Sequence, residues 1–334
     1  MRIGIITPAP PGSTYGNRIT ALRWCRILKS LGHRVRISQA YSGEPYDLLI
    51  ALHARRSHTS IKRFHDKNPK GLVIVALTGT DLYGDLRSNH LARKSLDIAT
   101  RIVVLQPKAN DELRSVWQGK TRVIYQSVEN RLAVTSKREK PRKATSSAPA
   151  FPGRNFNVCV IGHLRPVKDP FRAALAARLL PSSSQVRIWQ IGGAMTAAME
   201  KRARAEMSRN ERYRWLGEQP RSRTLATMSK SQLCVISSRI EGGANVLSEA
   251  IVAAVPVLAS RTKGNIGILG SDYPGLFDFG NTHQLAQLLV RAETDSTFHF
   301  ELKERLRKLA PLFVPNREER AWSNLINELP LNCH

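Results

Sequence analysis

Leu233-Cys-Val-Ile-Ser-Ser-Arg-Ile-Glu-Gly-Gly-Ala-Asn-Val-Leu-Ser-Glu-Ala250 is the stretch of this 334-residue chain that decides its fold. Leu233–Ser237 is a short apolar run of strand character, and residues 244–254 carry a helical pattern. The glycine loop between them makes a strand–loop–helix unit, the building block of α/β proteins. Gly242 and Gly243 let the backbone approach a ligand closely. The N–H groups of Gly243, Ala244 and Asn245 lie at the helix start, where free amides and the helix dipole suit a diphosphate. Glu241 sits in the loop and Glu249 lies within the helix. A carboxylate within reach of a phosphate site accepts from ribose hydroxyls. The plainer alternative is two glutamates that only cap and solvate a helix. The two glycines and the strand–loop–helix setting favour binding.

Working outward, the same alternation runs along most of the chain. Arg2–Ile6, Val35–Ser38, Leu48–Ala51, Leu72–Leu77, Arg101–Leu105 and Arg122–Ile124 read as strands. A helical face of Ala21, Trp24, Cys25, Leu28 and Leu31 ends at Gly32, a helix C-terminal glycine. From Asn157 a second series begins: Val158–Ile161, Val186–Ile191, Tyr213–Leu216, Leu233–Ser237 and Val257–Ala259. Helical patterns cover about 170–180, 196–208, 222–229, 244–254, 282–293 and 297–309. Between the two series, residues 131–155 (RLAVTSKREKPRKATSSAPAFPGRN) are basic, Ser/Pro-rich and poor in large apolar groups, which predicts a linker or exposed insertion. The expected organisation is a first domain over 1–130, the basic segment 131–155, a second domain over 156–312, and a C-terminal helix within 313–334 that closes the second domain or crosses back to the first. Both domains are Rossmann-like, and ligands of such sheets bind at the carboxyl ends of the strands.

Composition narrows the function classes. Hydrophobic residues at 42% and charged residues at 23% are ordinary for a globular chain. No apolar run approaches about 18 residues, so no bilayer span is expected. The opening Met1–Thr7 turns to Pro and Gly too early for a secretory signal, and a cytoplasmic location is expected. Lys plus Arg number 52 against 26 Asp plus Glu, a net charge of +26. That excess attracts polyanions, acidic membranes or phosphorylated small molecules, or reflects an Arg-rich proteome. Cys25, Cys159, Cys234 and Cys333 form no C-x-x-C and the histidines no H-x-x-x-H, so no metal site is expected. Scattered cysteines fit a reducing compartment. The tryptophans form no platform for single strands.

Four other loops follow predicted strands. Pro8-Ala-Pro-Pro-Gly-Ser-Thr-Tyr-Gly-Asn-Arg18 has Gly12 and Gly16 to wrap a ligand, Asn17 as N-cap and Arg18 opening the helix. It lacks G-x-G-x-x-G and G-x-x-x-x-G-K-[ST], so neither an NAD site nor a P-loop is supported. Leu52-His-Ala-Arg-Arg-Ser57 offers His53 as a base or hydrogen-bond donor, or as a structural imidazole. Leu77-Thr-Gly-Thr-Asp-Leu82 offers Thr78, Gly79 and Thr80 to hold a tetrahedral oxyanion, with Asp81 an acid–base group or a cap. Gly162-His-Leu-Arg-Pro-Val-Lys-Asp-Pro170 carries Arg165 and Lys168, two cations suited to a leaving diphosphate on a loop stiffened by prolines. Solvated surface cations are the plainer reading.

With these motifs in view, the chain resembles the GT-B fold glycosyltransferases of the retaining, nucleotide-sugar class: two Rossmann-like domains facing across a deep cleft, a lysine-bearing loop near the start of the second, and E-x7-E leading into a helix. The variant Glu-Gly-Gly-Ala-Asn-Val-Leu-Ser-Glu-Ala, followed by Pro256-Val-Leu-Ala-Ser260, Gly264-Asn265, Gly267-Ile-Leu-Gly270 and Asp272-Tyr-Pro-Gly275, looks more narrowly like the selenosugar synthases of selenoneine biosynthesis. That resemblance implies a UDP-sugar donor, UDP-glucose or UDP-N-acetylglucosamine, and selenophosphate as acceptor, giving a 1-seleno-sugar with UDP and phosphate released. It implies that Glu249 binds the ribose, that Arg165 and Lys168 grip the diphosphate, and that Gly242 to Asn245 cradle phosphates and sugar, with Glu241 on the sugar. Gly193, Leu216 and Glu218 fall on the nucleotide side. Gly12, Asn17, Arg18, Thr78 and Gly79 are expected among the binding residues and His53 and Thr80 among the catalytic ones, with Arg18, Thr78, Gly79 and Thr80 offering the acceptor cationic and N–H contacts. No tightly bound cofactor is implied, with magnesium assistance left open, and no specific nucleic-acid partner. Two alternatives stand beside it: a conventional transferase with a lipid or saccharide hydroxyl acceptor, and a non-catalytic polyanion-binding protein.

Overall fold

The computed structural model describes residues 1–129 and 155–330. The basic stretch 131–155 lies, apart from Asn155, outside the described residues. Two compact units are present. The first holds Met1–Ser127, Glu241–Asn245 and the chain from Leu312 onward, and the second holds Val128–Ile240 and Val246–Pro311.

The first unit is built on six parallel strands: β1 (Arg2–Ile6), β2 (Arg34–Ser38), β3 (Leu48–Leu52), β4 (Leu72–Leu77), β5 (Arg101–Val104) and β6 (Thr121–Val123), ordered β2-β1-β3-β4-β5-β6. Every side chain of β3 is buried, which only a strand covered on both faces permits. One face packs against Trp24 and Leu28 of the helix Gly16–Ser30 and Trp322, Leu325 and Ile326 of the helix Pro315–Asn327. Trp24 and Trp322 meet edge to face at 4.8 Å. The other face packs against Ile61 and Phe64 of His58–Lys67, Leu96 of His90–Ile98, and Trp117. Each such large apolar side chain contributes roughly 2–3 kcal/mol by leaving water.

The second unit repeats the plan with β7 (Phe156–Ile161), β8 (Val186–Ile191), β9 (Tyr213–Trp215), β10 (Leu233–Ile236), β11 (Val257–Ser260) and β12 (Leu276–Phe277), ordered β12-β11-β10-β7-β8-β9. Its helices include Ala197–Arg209, Arg221–Lys230, Asn245–Val252, Lys263–Leu269, Thr282–Thr294 and Ser296–Leu309. Predicted strands and helices agree with these within a few residues. The two-residue β12 is too short to leave a pattern. The observed fold is α/β with two domains, each doubly wound. The strand order reverses between β1 and β3 in one sheet and between β7 and β10 in the other. Ligands of open α/β sheets bind at such switch points. No helix among the described residues is long and apolar enough to cross a membrane.

One boundary differs from the sequence reading. The first helix starts at Gly16 with Tyr15 as its N-cap, so Asn17 is already helical. The Tyr15 carbonyl accepts from the N–H groups of both Arg18 and Ile19, so the chain has turned before Asn17 is reached.

Candidate active site

At the switch point of the second unit, the loops after β7 and β10 are stitched together. The Arg239 N–H donates to the Val167 carbonyl at 2.8 Å, and the Ser237 hydroxyl donates to the Asp169 carbonyl at 2.8 Å. Arg165 caps a short turn over Pro166–Lys168, and Pro166 presets the backbone angle at its start. Asp169 ends that turn in the left-handed region, its carboxylate accepting from Arg172 Nε at 2.7 Å. The two cations of this loop are thereby held beside the residues that lead into Glu241.

His163 reports on the charges around it. Burial pushes its pKa down, the Glu218 carboxylate pulls it up, and Arg165 and Lys168 push it down again. A Cβ on Gly193 would lie 3.2 Å from Glu218 Oε2 and 3.8 Å from the His163 ring, so these three residues are neighbours. The Leu216 N–H donates to the Gln190 carbonyl, extending the sheet to the residue before Gly217 and Glu218. The second unit therefore gathers Arg165, Lys168, Gly193 and Glu218 around His163, a residue that the sequence reading did not single out.

Glu249 lies buried in the helix Asn245–Val252, and its Oε1 is 2.6 Å from Arg221 Nη1. The purely solvated reading of this glutamate is thus wrong. Arg221 was missed because it sits in a basic, polar stretch with no distinguishing pattern.

Glu241–Asn245 packs within the first unit. Its approach to the loop after β4 is backbone against backbone. A Cβ on Gly242 would stand 2.6 Å from the Thr78 carbonyl oxygen, and one on Gly79 would stand 2.8 Å from the Gly242 nitrogen. Gly79 also has a φ of +133°, which side chains disfavour. Both positions thus require glycine. Gly243 lies as closely on Leu105, and a Cβ on Gly16 would come 3.8 Å from Asn245 Nδ2. Glu241 and Ala244 are buried. The following helix begins at Asn245, so the amides from Ala244 onward are those a helix leaves without an intrahelical partner.

The loop after β4 does not keep the donors expected of it. Asp81, fully buried, accepts from the N–H groups of Thr78 at 3.0 Å, Gly79 at 2.9 Å and Ala54 at 3.0 Å. The Thr78 and Gly79 amides are therefore committed to Asp81, and the idea that they hold an oxyanion is corrected. Of the two readings of Asp81, the structural one is right. The Thr80 hydroxyl meets His53 Nε2 at 3.2 Å.

His53 is buried and adopts a φ of +74°, a strained value for a histidine. Its Nδ1 accepts from the Arg56 N–H at 3.3 Å, so Nε2 carries the proton. Nε2 faces the Thr80 hydroxyl at 3.2 Å and Asp85 Oδ2 at 3.8 Å, and Arg55 Nε holds the same Asp85 oxygen at 2.8 Å. Asp85 was not singled out from sequence, since nothing in Tyr83–Leu86 marks it. Arg18 places a buried Nε with no hydrogen-bond partner in the first turn of its helix. Gly12 turns the preceding loop at φ +76° and its missing side chain would touch nothing, so no contact ties it to the other candidates. Among the described residues no cluster of three or more His, Cys, Asp or Glu is placed to hold a metal.

The chain is similar to known proteins in sequence and in fold. The family model for glycosyl transferases group 1 matches residues 141–312. A curated relative, glycosyltransferase 1 domain-containing protein 1 of Xenopus tropicalis, is 25% identical over 337 residues, covering 95% of each chain. HepE of Anabaena, solved with UDP, superposes with a TM-score of 0.75 at 14% identity over 98% of this chain and 99% of that one. Sucrose-phosphate synthase of Thermosynechococcus elongatus gives 0.76 at 16% identity over 98% of each. With two doubly wound units, a glycine loop running from strand to helix between two glutamates, and a family model matched over half its length, the chain belongs to the glycosyl transferases group 1 family.

Proposed function

We propose that this protein transfers a sugar from a UDP-sugar, UDP-glucose or UDP-N-acetylglucosamine, to selenophosphate. The observation that carries the donor half is the Glu241–Asn245 loop. Its glycines allow backbone contact at van der Waals limits, and a helix with open first-turn amides follows. In this reading those amides hold the diphosphate and Glu241 contacts the sugar. Glu249, oriented by Arg221, accepts from the ribose hydroxyls, and Gly193, Leu216 and Glu218 border the base. HepE, which binds UDP, supports the choice of nucleotide. Arg165 and Lys168 stabilise the negative charge that grows on the β-phosphate as the C1–O bond breaks.

The acceptor half rests on how the candidate bases are used. Asp81 is spent on three backbone N–H groups, and His53 presents a protonated Nε2. These two groups are donors or scaffolding, which suits a nucleophile that needs no deprotonation. Selenophosphate is one, its selenium already anionic, and the orphaned Arg18 Nε suits its charge. Selenium donates its electron pair to C1, and the C1–O pair leaves with UDP. Water then cleaves the P–Se bond, releasing phosphate and the 1-seleno-sugar. Positioning dominates such a reaction.

The deciding experiment incubates the protein with each UDP-sugar, with and without selenophosphate, and reads UDP release and products by mass spectrometry. A selenium-bearing sugar formed only with selenophosphate is expected. UDP-sugar binding without that product moves the acceptor to a hydroxyl compound. No binding of either donor ends the transferase reading.

A further inference from the structure

The Glu241–Asn245 loop is held by a buried polar chain that reaches the last helix of the protein. Gln126 Nε2 donates to the Gly243 carbonyl at 2.7 Å, and Arg23 Nη1 donates to Asn245 Oδ1 at 3.1 Å. These two grips are joined, since Arg23 Nη2 and the Thr20 hydroxyl both donate to Gln126 Oε1. Arg23 is neutralised by Glu318, with Nε 3.0 Å from Oε2. Glu318 also accepts from Trp24 Nε1 at 2.8 Å and from the Ser127 N–H at 2.7 Å. Arg23, Gln126 and Glu318 are 8%, 4% and 2% exposed. Charged groups this deep cost several kcal/mol each unless fully paired, and here Glu318 pairs Arg23, which reaches the loop at Asn245.

We infer that Arg23, Gln126 and Glu318 are positioning residues that set the backbone of Gly243–Asn245 for the donor diphosphate. The inference rests on the donor reading above. The Gly243 carbonyl and the Asn245 side chain flank Ala244, so holding both orients the amides at the helix start. The helix Pro315–Asn327 thereby acts on the loop through Glu318 and Arg23. Buried networks of this kind are stiff, because each bond has no water to replace it. Phosphate-binding amides misplaced by about 1 Å cost on the order of 100-fold in rate.

Gln126→Glu tests this most cleanly. The carboxylate still accepts from Arg23 and Thr20 but has no N–H for the Gly243 carbonyl. Arg23→Lys is the companion: it keeps the charge beside Glu318 and loses the fork that spans Asn245 and Gln126. Three readouts are taken on the full chain: amide hydrogen exchange over residues 241–249, UDP affinity by calorimetry, and kcat and KM with UDP-sugar. Thermal unfolding is followed alongside. In both variants exchange at the loop is expected to quicken at least about tenfold with secondary structure intact. UDP affinity falls about tenfold, and kcat falls about 30-fold without a matching rise in acceptor KM. Unchanged exchange at the loop overturns the inference, as does faster exchange with UDP affinity and kcat within about twofold of the parent. If Gln126→Glu does not fold, Arg23→Lys decides by the same criteria. Failure of the donor reading shows separately, as an unmodified protein that binds no UDP, and it takes the catalytic part of this inference with it.

Discussion

The loops at the two switch points are held by different kinds of contact. In the first unit the loop ends of β3 and β4 are bound to each other: Asp81 takes three backbone N–H groups, His53 is locked by Arg56 and Thr80, and Arg55 is spent on Asp85. In the second unit the loops are bound to each other by backbone and hydroxyl contacts, such as Arg239 to Val167 and Ser237 to Asp169, and its carboxylates meet guanidinium groups, Asp169 with Arg172 and Glu249 with Arg221. One site is a rigid scaffold whose carboxylates are structural. The other is a frame carrying cations around a half-buried histidine. A motif of polar residues after a strand therefore says little about chemistry until the backbone donors have been accounted for.

The sharpest break of this comparison is Asp81→Ala. It strands three amides in a fully buried place, and stability is expected to fall by about 3 kcal/mol, seen as a lower denaturant midpoint at unchanged slope. A loss under about 0.5 kcal/mol would mean that the scaffold description is wrong. Lys168→Ala probes the other side. Turnover with UDP-sugar is expected to drop about 30-fold while UDP binding weakens only about fivefold, because leaving-group charge develops late. The unfolding temperature should stay within about 2 °C of the parent, and a larger shift would make Lys168 part of the scaffold.

The smallest effect is one of pH. His33 and His58 in the first unit, and His163 and His299 in the second, all have pKa values pushed below the ordinary 6.5, chiefly by burial. Below that value the unfolded chain binds protons that the folded chain resists, so stability is complete above about pH 6.5 and declines as pH falls through it. Unfolding temperatures measured from pH 7.5 to 5 should trace that decline. His163→Asn should flatten part of it, and an unaltered slope would show that the cations and burial around His163 do not govern its protonation.

Much of the fold was legible because parallel strands buried on both faces leave continuous apolar runs, as in Leu48–Leu52 and Leu72–Leu77. The place of the glycine loop after β10, and of Lys168 after β7, was legible because strand-to-helix junctions leave a local pattern. Arg221, Asp85 and Gln126 were not: each is an ordinary polar residue in sequence, and each is tied to a partner well over 20 positions away, Gln126 to Gly243 117 positions on. Thr78 and Gly79 were misjudged for a related reason. Their amides look available in sequence, and only the folded position of Asp81 shows that they are taken.

What the sequence determined alone was periodicity and local chemistry: two series of strands and helices, where their loops fall, and which loops carry glycine, carboxylate or cation. Such features depend on residues within one turn or one strand of each other. Tertiary structure decided which polar groups remain for a ligand. Hydrogen-bond capacity is finite, and a group's partner is chosen by what packs beside it in space. That is why Glu241–Asn245, encoded in the middle of the second series, is anchored by Arg23, Gln126 and Glu318 of the first unit.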